Sequence, residues 1–416
     1  MAVRRPTYPA TNWLFTLVII GWGGVIGSTI TVLLAGALLW NLVELSRGRL
    51  ALDLEFEVRL VAAAFAAYFA ALTMAELVNY SHPRSLVKIV EYLPFLGFSL
   101  FYASLCKCRR EDIAAAVQWG AVSGSLATFI FAAFEVVYLG DYRASGGAGN
   151  SGPFASISAL LYCLCVITAA RRHGWTQALA IAAAGCAAGA LLLSGMRGLW
   201  PVILIGPMIA VFTRSRNHAP SVSFRAMIAG VILIAGMVAL SYDRVSQRVM
   251  EVAHDHERIT QYSDYQNSIG QRLLIWEAGL DLWSDKPLIG HGSNNIPALM
   301  AERVLQLTGT EVGYSHFHNF IVTAAVQSGL IGVVAMLAMI LVPLWLAMRR
   351  QRDEAANFGF AMLLSIHATF VTSGMSNIML NHDIMDTLFI FGSATANFLI
   401  FRRSESGNLS QPLSKK

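Results

Sequence analysis

The chain has 416 residues, of which 56% are hydrophobic and only 13% charged, with a formal net charge of +5 at neutral pH. That leaves too little polar surface to cover a water-soluble core, so an ordinary soluble domain is excluded and an all-α polytopic membrane protein is expected. The apolar stretches are long enough to cross about 30 Å of hydrocarbon as helices, and no alternating barrel pattern appears.

Taken in order, the sequence predicts twelve spans, at about 12–22, 25–43, 57–78, 86–105, 113–139, 153–170, 174–193, 198–213, 223–241, 330–348, 355–373 and 385–402. The first two share one apolar block, broken at Gly21-Trp-Gly-Gly24 and Gly27, and are read as two retained spans and not a cleaved signal peptide. Charge sets the orientation. With the N-terminus inside, the inner loops carry Arg47, Arg49, Lys107, Arg109, Arg110, Arg171, Arg172, Arg214, Arg216, Arg349, Arg350, Arg352, Arg402 and Arg403, in agreement with the positive-inside rule. A single kinked first helix would reverse every later loop. The five cysteines lie in or beside spans and imply no disulfide framework.

The resulting organisation is 1–241 as nine spans, 242–317 as a large outer loop of 76 residues, 318–403 as the helix after His318 with the last three spans, and 404–416 as a disordered tail, with both termini inside. Within the large loop Leu273, Trp276, Leu280 and Trp283 recur at near-helical spacing beside Glu277, Asp281 and Asp285. That pattern reads as an amphipathic helix lying over the bundle. His254-Asp-His-Glu257 has metal-ligand residue types but no matching distant ligand, so it is read as solvated and no metal is expected.

The loop closes on Tyr314-Ser-His316-Phe-His318-Asn319, which runs directly into the tenth span. An imidazole at such a boundary is available as a base. Free amide N–H groups and the helix dipole disfavour imidazolium there, although a helix-capping histidine would occupy the same position. Few basic residues remain on the outer side. Arg197, in the turn Ser194-Gly-Met-Arg197-Gly198, stands at a membrane boundary with little polar company, where a charge is costly unless paired or used; snorkelling is the bland alternative. Arg272 opens the amphipathic helix. Arg84 and Lys88 share a helix face if the fourth span begins near them, and Arg143 lies in a Gly/Ser-rich loop. Arginine forks suit phosphate oxygens better than lysine does. Asp383 and Asp386 in the last outer loop are candidates to orient His318.

His318-Asn319, nine residues, then Gly329-x-x-Gly332, preceded by Arg272-x3-Trp276 and Asp285-Lys-Pro-Leu-Ile-Gly-His-Gly292, resembles the signature of the O-antigen ligase and polymerase superfamily of bacterial membrane enzymes. The Ser-x-x-Arg-Gly turn at Arg197 also resembles the outer-face arginine of O-antigen ligases. The resemblance covers roughly residues 268–348 closely. It implies a metal-independent, inverting glycosyltransferase of the inner membrane with its active site on the periplasmic face. Its partners would be an undecaprenyl-pyrophosphate-linked glycan as donor, lipid A–core as acceptor and membrane lipids, with no nucleic acid. His318, Arg197 and Arg272 would be catalytic; His316, Asn319, Arg84, Lys88, Arg143 and Tyr314 would bind substrate. An O-antigen polymerase or another glycan ligase of the superfamily would share the motif. A transporter or flippase fits less well, because chemistry-capable residues gather on one face and not at the midplane.

Overall fold

The computed structural model describes residues 8–213, 246, 250, 267–308, 313–350 and 352–403. The expected ninth span at 223–241, the His254–Glu257 cluster and the tail from 404 lie outside these. The described helices are α1 (Tyr8–Gly21), α2 (Gly23–Ile26), α3 (Thr29–Ser46), α4 (Phe56–Val78), α5 (Arg84–Tyr92), α6 (Phe98–Leu105), α7 (Arg110–Ala133), α8 (Ser151–Arg171), α9 (Gly174–Leu193), α10 (Val202–Phe212), α11 (Ser268–Asp285), α12 (Ile296–Thr308), α13 (Phe320–Arg349), α14 (Glu354–Gly374) and α15 (Asp383–Phe401). No strand occurs among the described residues. Nine helical stretches there are long and apolar enough to cross a membrane, so the molecule is a multi-pass α-helical membrane protein.

Several expected spans take a different form. The first is α1, which reaches back to Tyr8, the first described residue, and ends at Gly21. The eighth covers Arg197–Phe212, beginning as a 3₁₀ turn at Arg197–Leu199 and continuing as the 11-residue α10. The fourth is divided into α5, a 3₁₀ turn at Leu93–Gly97 containing Pro94, and α6, because proline lacks the N–H that a continuous helix needs. The tenth starts ten residues early, at Phe320, and carries a break at Gly329, whose φ of 62° and ψ of −164° are non-helical.

Without a hydrophobic drive between helices in lipid, close packing of small residues holds such a bundle together. A Cβ on Gly21 would lie 2.2 Å from the Gly120 carbonyl oxygen and one on Gly124 would lie 1.9 Å from that of Gly21, so α1 and α7 meet backbone to backbone. α9 contributes Ala180, Ala183, Ala187 and Ala190, all fully buried. The centre is α15, in which every residue from Ile384 to Phe401 is buried, whereas α3 turns Val32, Leu39 and Trp40 outward.

The two ends of the bundle differ in chemistry. At one, the start of α7 meets the start of α14 through Arg110 and Asp353 (2.7 Å), the end of α13 meets the start of α4 through Arg350 and Glu57 (3.5 Å), and Arg402 lies 3.6 Å from Glu55. The opposite end receives the close of α4, α9 and α14, the start of α8, α13 and α15, and the α11–α12 unit.

Candidate active site

The polar end is organised by how α13 begins. Asn319 caps it, its side chain accepting hydrogen bonds from the Ile321 and Val322 amides at 3.0 and 3.3 Å, which satisfies two otherwise free donors. On the other side of His318, Phe317 is fully buried beneath α11. A Cβ on Gly279 of α11 would come within 2.9 Å of the Phe317 ring, and Trp276 Nε1 donates to the Phe317 carbonyl at 2.7 Å. His318, held between a buried anchor and a cap, takes a φ of 51°, a conformation costing on the order of 1–3 kcal/mol for a non-glycine residue. Its imidazole packs against His316, ring centroids 4.3 Å apart, and edge-on against Tyr314 at 5.3 Å. Tyr314 is hydrogen-bonded in turn to Gln271.

α11 seats this loop with only part of the face read from the sequence: Trp276 and Trp283 pack against the buried cluster, whereas Leu273 and Leu280 do not. Leu273 and Leu280 are 42% and 54% exposed, while Ile275, Ala278 and Leu282 pack with Phe317 and Val326. The Leu273/Leu280 pair and the Ile275–Ala278–Leu282 stripe are both helical repeats, and only the position of Phe317 decides between them.

The break in α13 explains the glycine spacing. Losing the helix at Gly329 frees backbone groups, and the segment after α11 takes them up: Leu330 N donates to Pro287 O (2.8 Å), Ile331 N to Leu288 O (3.2 Å), and His291 N and Gly292 N donate to Val326 O (2.8 Å) and Gln327 O (2.9 Å). A Cβ on Gly329 would stand 2.2 Å from the Leu288 carbonyl carbon, and one on Gly290 2.6 Å from that of Gln327. Both glycines have positive φ, 62° and 73°. The Asp285–Gly292 and Gly329–Gly332 motifs are thus two sides of one junction that fixes the outer unit to α13.

Arg197 opens a 3₁₀ turn at Arg197–Leu199, entered through Gly195 at φ 68°. The aliphatic stem of Arg143 lies 3.4–3.6 Å from where a Gly195 Cβ would sit, so the two arginines flank one turn. The Arg143 loop is clipped by Glu135, whose carboxylate accepts from the Ser145 and Gly146 amides at 2.9 Å each. Arg272, on the first turns of α11, is partly buried and feels the charges of both Arg197 and Arg143, and its pKa is lowered chiefly by burial and then by these cations. Three guanidiniums therefore share one locality.

His318 joins it. Its pKa is lowered to about 4, first by burial, then by His316 and Arg272, while the Asn377 side chain, which meets both imidazoles, works in the opposite direction. The neutrality read from the helix dipole has this different main cause, since Asn319 occupies two of the free amides. His316 is lowered as well, by burial and by the neighbouring His382. Nδ1 of His318 and Nε2 of His316 are buried without a hydrogen-bond partner among the described residues.

Asn377 carried no spacing signal in the sequence. It lies past the end of α14, its N–H donating to Ser373 O at 2.8 Å, and its amide nitrogen fills the space that a Cβ on Gly152 of α8 would need. The acids considered as orienting groups do something else. Asp383 lies 3.1 Å from His382 Nδ1 and within 3.4 Å of Thr31, and Asp386 accepts from the Asn381 amide at 2.9 Å. Lys88 is paired with Glu91 at 2.7 Å, and Arg84 lines a separate groove.

At one end, then, this multi-pass helical bundle brings a partly buried histidine beside Arg272, which lies near Arg197 and Arg143. Residues 182–337 match the family described as O-Antigen ligase. An uncharacterized protein of Haemophilus influenzae is 25% identical over 158 residues, 37% of this chain and 39% of that relative, and an O-antigen ligase of Escherichia coli K12 is 24% identical over 143 residues, a third of each chain (33%). The chain thus matches well under half the length of these relatives. The similarity is to the O-antigen ligase/polymerase superfamily of glycan-processing membrane enzymes, and the matched stretch holds Arg197, Arg272, His316, His318 and both halves of the glycine junction.

Proposed function

We propose that the protein is an O-antigen ligase, moving a preassembled glycan from undecaprenyl pyrophosphate to lipid A–core at the periplasmic face of the inner membrane. The grouping of Arg197 and Arg143 around Arg272, which in turn acts on His318, carries this reading. Guanidinium forks neutralise a diphosphate through paired, charge-assisted hydrogen bonds. His318, neutral near pH 7, accepts the proton of the acceptor hydroxyl as its oxygen bonds to the anomeric carbon. The bond from that carbon to the phosphate oxygen breaks, and the electron pair leaves with undecaprenyl pyrophosphate, where Arg197 and Arg272 stabilise it. Attack opposite the leaving group inverts the anomeric centre.

Donor binding also tunes the base. A diphosphate beside Arg272 offsets one of the cations that hold His318 low, so the imidazole becomes more basic as the donor arrives. In this scheme the arginines supply the positive charge, Tyr314, His316 and Asn319 shape the pocket, and no metal takes part.

The test is purified protein with lipid-linked glycan and rough lipopolysaccharide. Product should form in EDTA, and should fail with Arg197→Ala and nearly as badly with Arg197→Lys, because lysine keeps the charge and loses the fork. A requirement for Mg²⁺ or Mn²⁺, or full rescue by lysine, would overturn the arginine scheme. A polymerase would instead lengthen the donor glycan without the rough acceptor.

A further inference from the structure

Apart from the histidine site, the polar end carries a groove of about 610 Å³ between the α4–α5 turn and the segment from Lys286 into α12. Its described lining contains Arg84, Lys286, His82 and His291, with Asn79, Tyr80, Ser81, Asn294 and Asn295, and no acid. The nearest carboxylates on α11 are engaged, Asp281 and Asp285 both pairing with Arg303 of α12.

The walls are tied together. Lys286 Nζ donates to Asn79 Oδ1 (2.5 Å), Asn79 Nδ2 to Gly290 O (3.0 Å), Ser81 Oγ to Asn295 Oδ1 (2.7 Å) and Asn295 Nδ2 to Asn79 O (3.1 Å). The groove is therefore formed without a ligand. Beneath it, a polar chain runs from Ser293 N to Glu76 (2.6 Å), with Tyr92 OH donating to the same carboxylate (3.1 Å), Gln327 to Tyr92 (3.1 Å) and Asn381 to Gln327 (2.8 Å). That chain ends beside His382, in the loop that carries Asn377.

We infer that this groove seats the acceptor, and that it selects a saccharide bearing a negative charge. The inference rests on the glycan-transfer reading and assigns its second substrate, taking Arg84 out of the donor grip. Three features match a charged sugar. Beyond the groups that tie its walls, the wide, open cleft also carries Asn294 and the Tyr80 hydroxyl, which suit a polyol. Arg84 and Lys286 outnumber the Glu76 carboxylate that lies beneath the groove, which favours an anion. Tyr80, 49% exposed, offers a ring face for a sugar. The donor's diphosphate and the acceptor's anion would then be held by separate sets of cations, so two negatively charged substrates approach one another with each charge offset locally.

The test uses the full chain in nanodiscs and, as probe, a deacylated core oligosaccharide from rough lipopolysaccharide, with two further forms, one dephosphorylated and one with its carboxyls reduced. Arg84→Ala and Arg84→Gln should each weaken binding of the intact probe about tenfold, the usual effect of losing one hydrogen bond to a charged group. One of the two stripped probes should bind wild type and variants alike, which identifies phosphate or carboxylate as the recognised group. Binding of undecaprenyl pyrophosphate should change less than about twofold in the Arg84 variants and collapse in Arg272→Ala, with the reverse for the oligosaccharide. The assignment is overturned if the wild-type protein does not bind the probe, if both Arg84 variants bind it as wild type does, or if they lose the donor. Arg84-dependent binding without any transfer product would instead reject the ligase reading and keep the groove.

Discussion

At the scale of single residues, the feature that matters is an imidazole forced into a positive-φ position between a buried phenylalanine and a capping asparagine. His318→Ala should lower turnover by about 10²–10⁴-fold, the usual worth of positioned proton transfer, with the protein still folded and inserted, as judged by gel filtration in detergent. His316→Ala should cost less. Retention of more than about a tenth of wild-type activity in His318→Ala would remove it as the base. The pH profile gives a second check. A base works only while unprotonated, so activity falls as pH drops through its pKa. With His318 at about 4, the acid limb of kcat/KM for the donor should lie well below the 6.5 of an ordinary histidine. Removing the Arg272 charge favours imidazolium, so the residual activity of Arg272→Ala should show that limb at higher pH. An unmoved limb would mean that the two groups are not electrostatically coupled.

Among the elements, the junction between α13 and the Pro287–Gly292 segment sets the position of everything above it. The expected span at 330–348 is in fact the second half of a longer helix, and Gly329 is where the outer unit is fastened into it. Gly329→Ala should be strongly destabilising: φ 62° with ψ −164° is a region reserved essentially for glycine, costing any other residue on the order of 1–3 kcal/mol, and its Cβ would also meet Leu288 backbone at 2.2 Å. A lowered thermal midpoint together with lost donor binding is expected, and a variant with wild-type stability would show that the break is not a packed junction. Gly332→Ala is expected to destabilise as well, since its Cβ would meet both the Ser328 hydroxyl at 1.7 Å and Ser328 Cβ at 2.4 Å, and rotating the hydroxyl clears only the first.

For the whole molecule, charge distinguishes the two ends of the bundle. Ion pairs gather Arg110, Arg350 and Arg402 at the end opposite His318, as the positive-inside rule requires if the histidine end faces the periplasm. In a background with the five native cysteines replaced, Asn295→Cys should react with a membrane-impermeant thiol reagent applied from outside, whereas His173→Cys, at the exposed α8–α9 turn, should react only after the membrane is opened. The opposite pattern would invert the topology and exclude a lipid-linked donor presented from the periplasm.

Composition and hydropathy were enough to determine a helical membrane bundle, because burying apolar helices in lipid depends on stretches that are local in sequence. Span ends were legible less well. The break in α13 at Gly329 depends on backbone groups that find partners in the Pro287–Gly292 segment, and hydropathy does not report such partners. The His318-Asn319, Gly329-x-x-Gly332 and Arg272 motifs were legible as an ordered set through their resemblance to a family signature, while the cap at Asn319 and the positive φ at Gly329 emerged only with the structure. What only the tertiary structure decided is convergence. Arg143 and Arg197 meet around Gly195, Asn377 reaches the imidazoles across the space left by Gly152, Asp383 and Asp386 turn to other partners, and Arg84 goes to its own groove. Those outcomes follow from helices hundreds of residues apart packing end to end, and no periodicity within one segment encodes them.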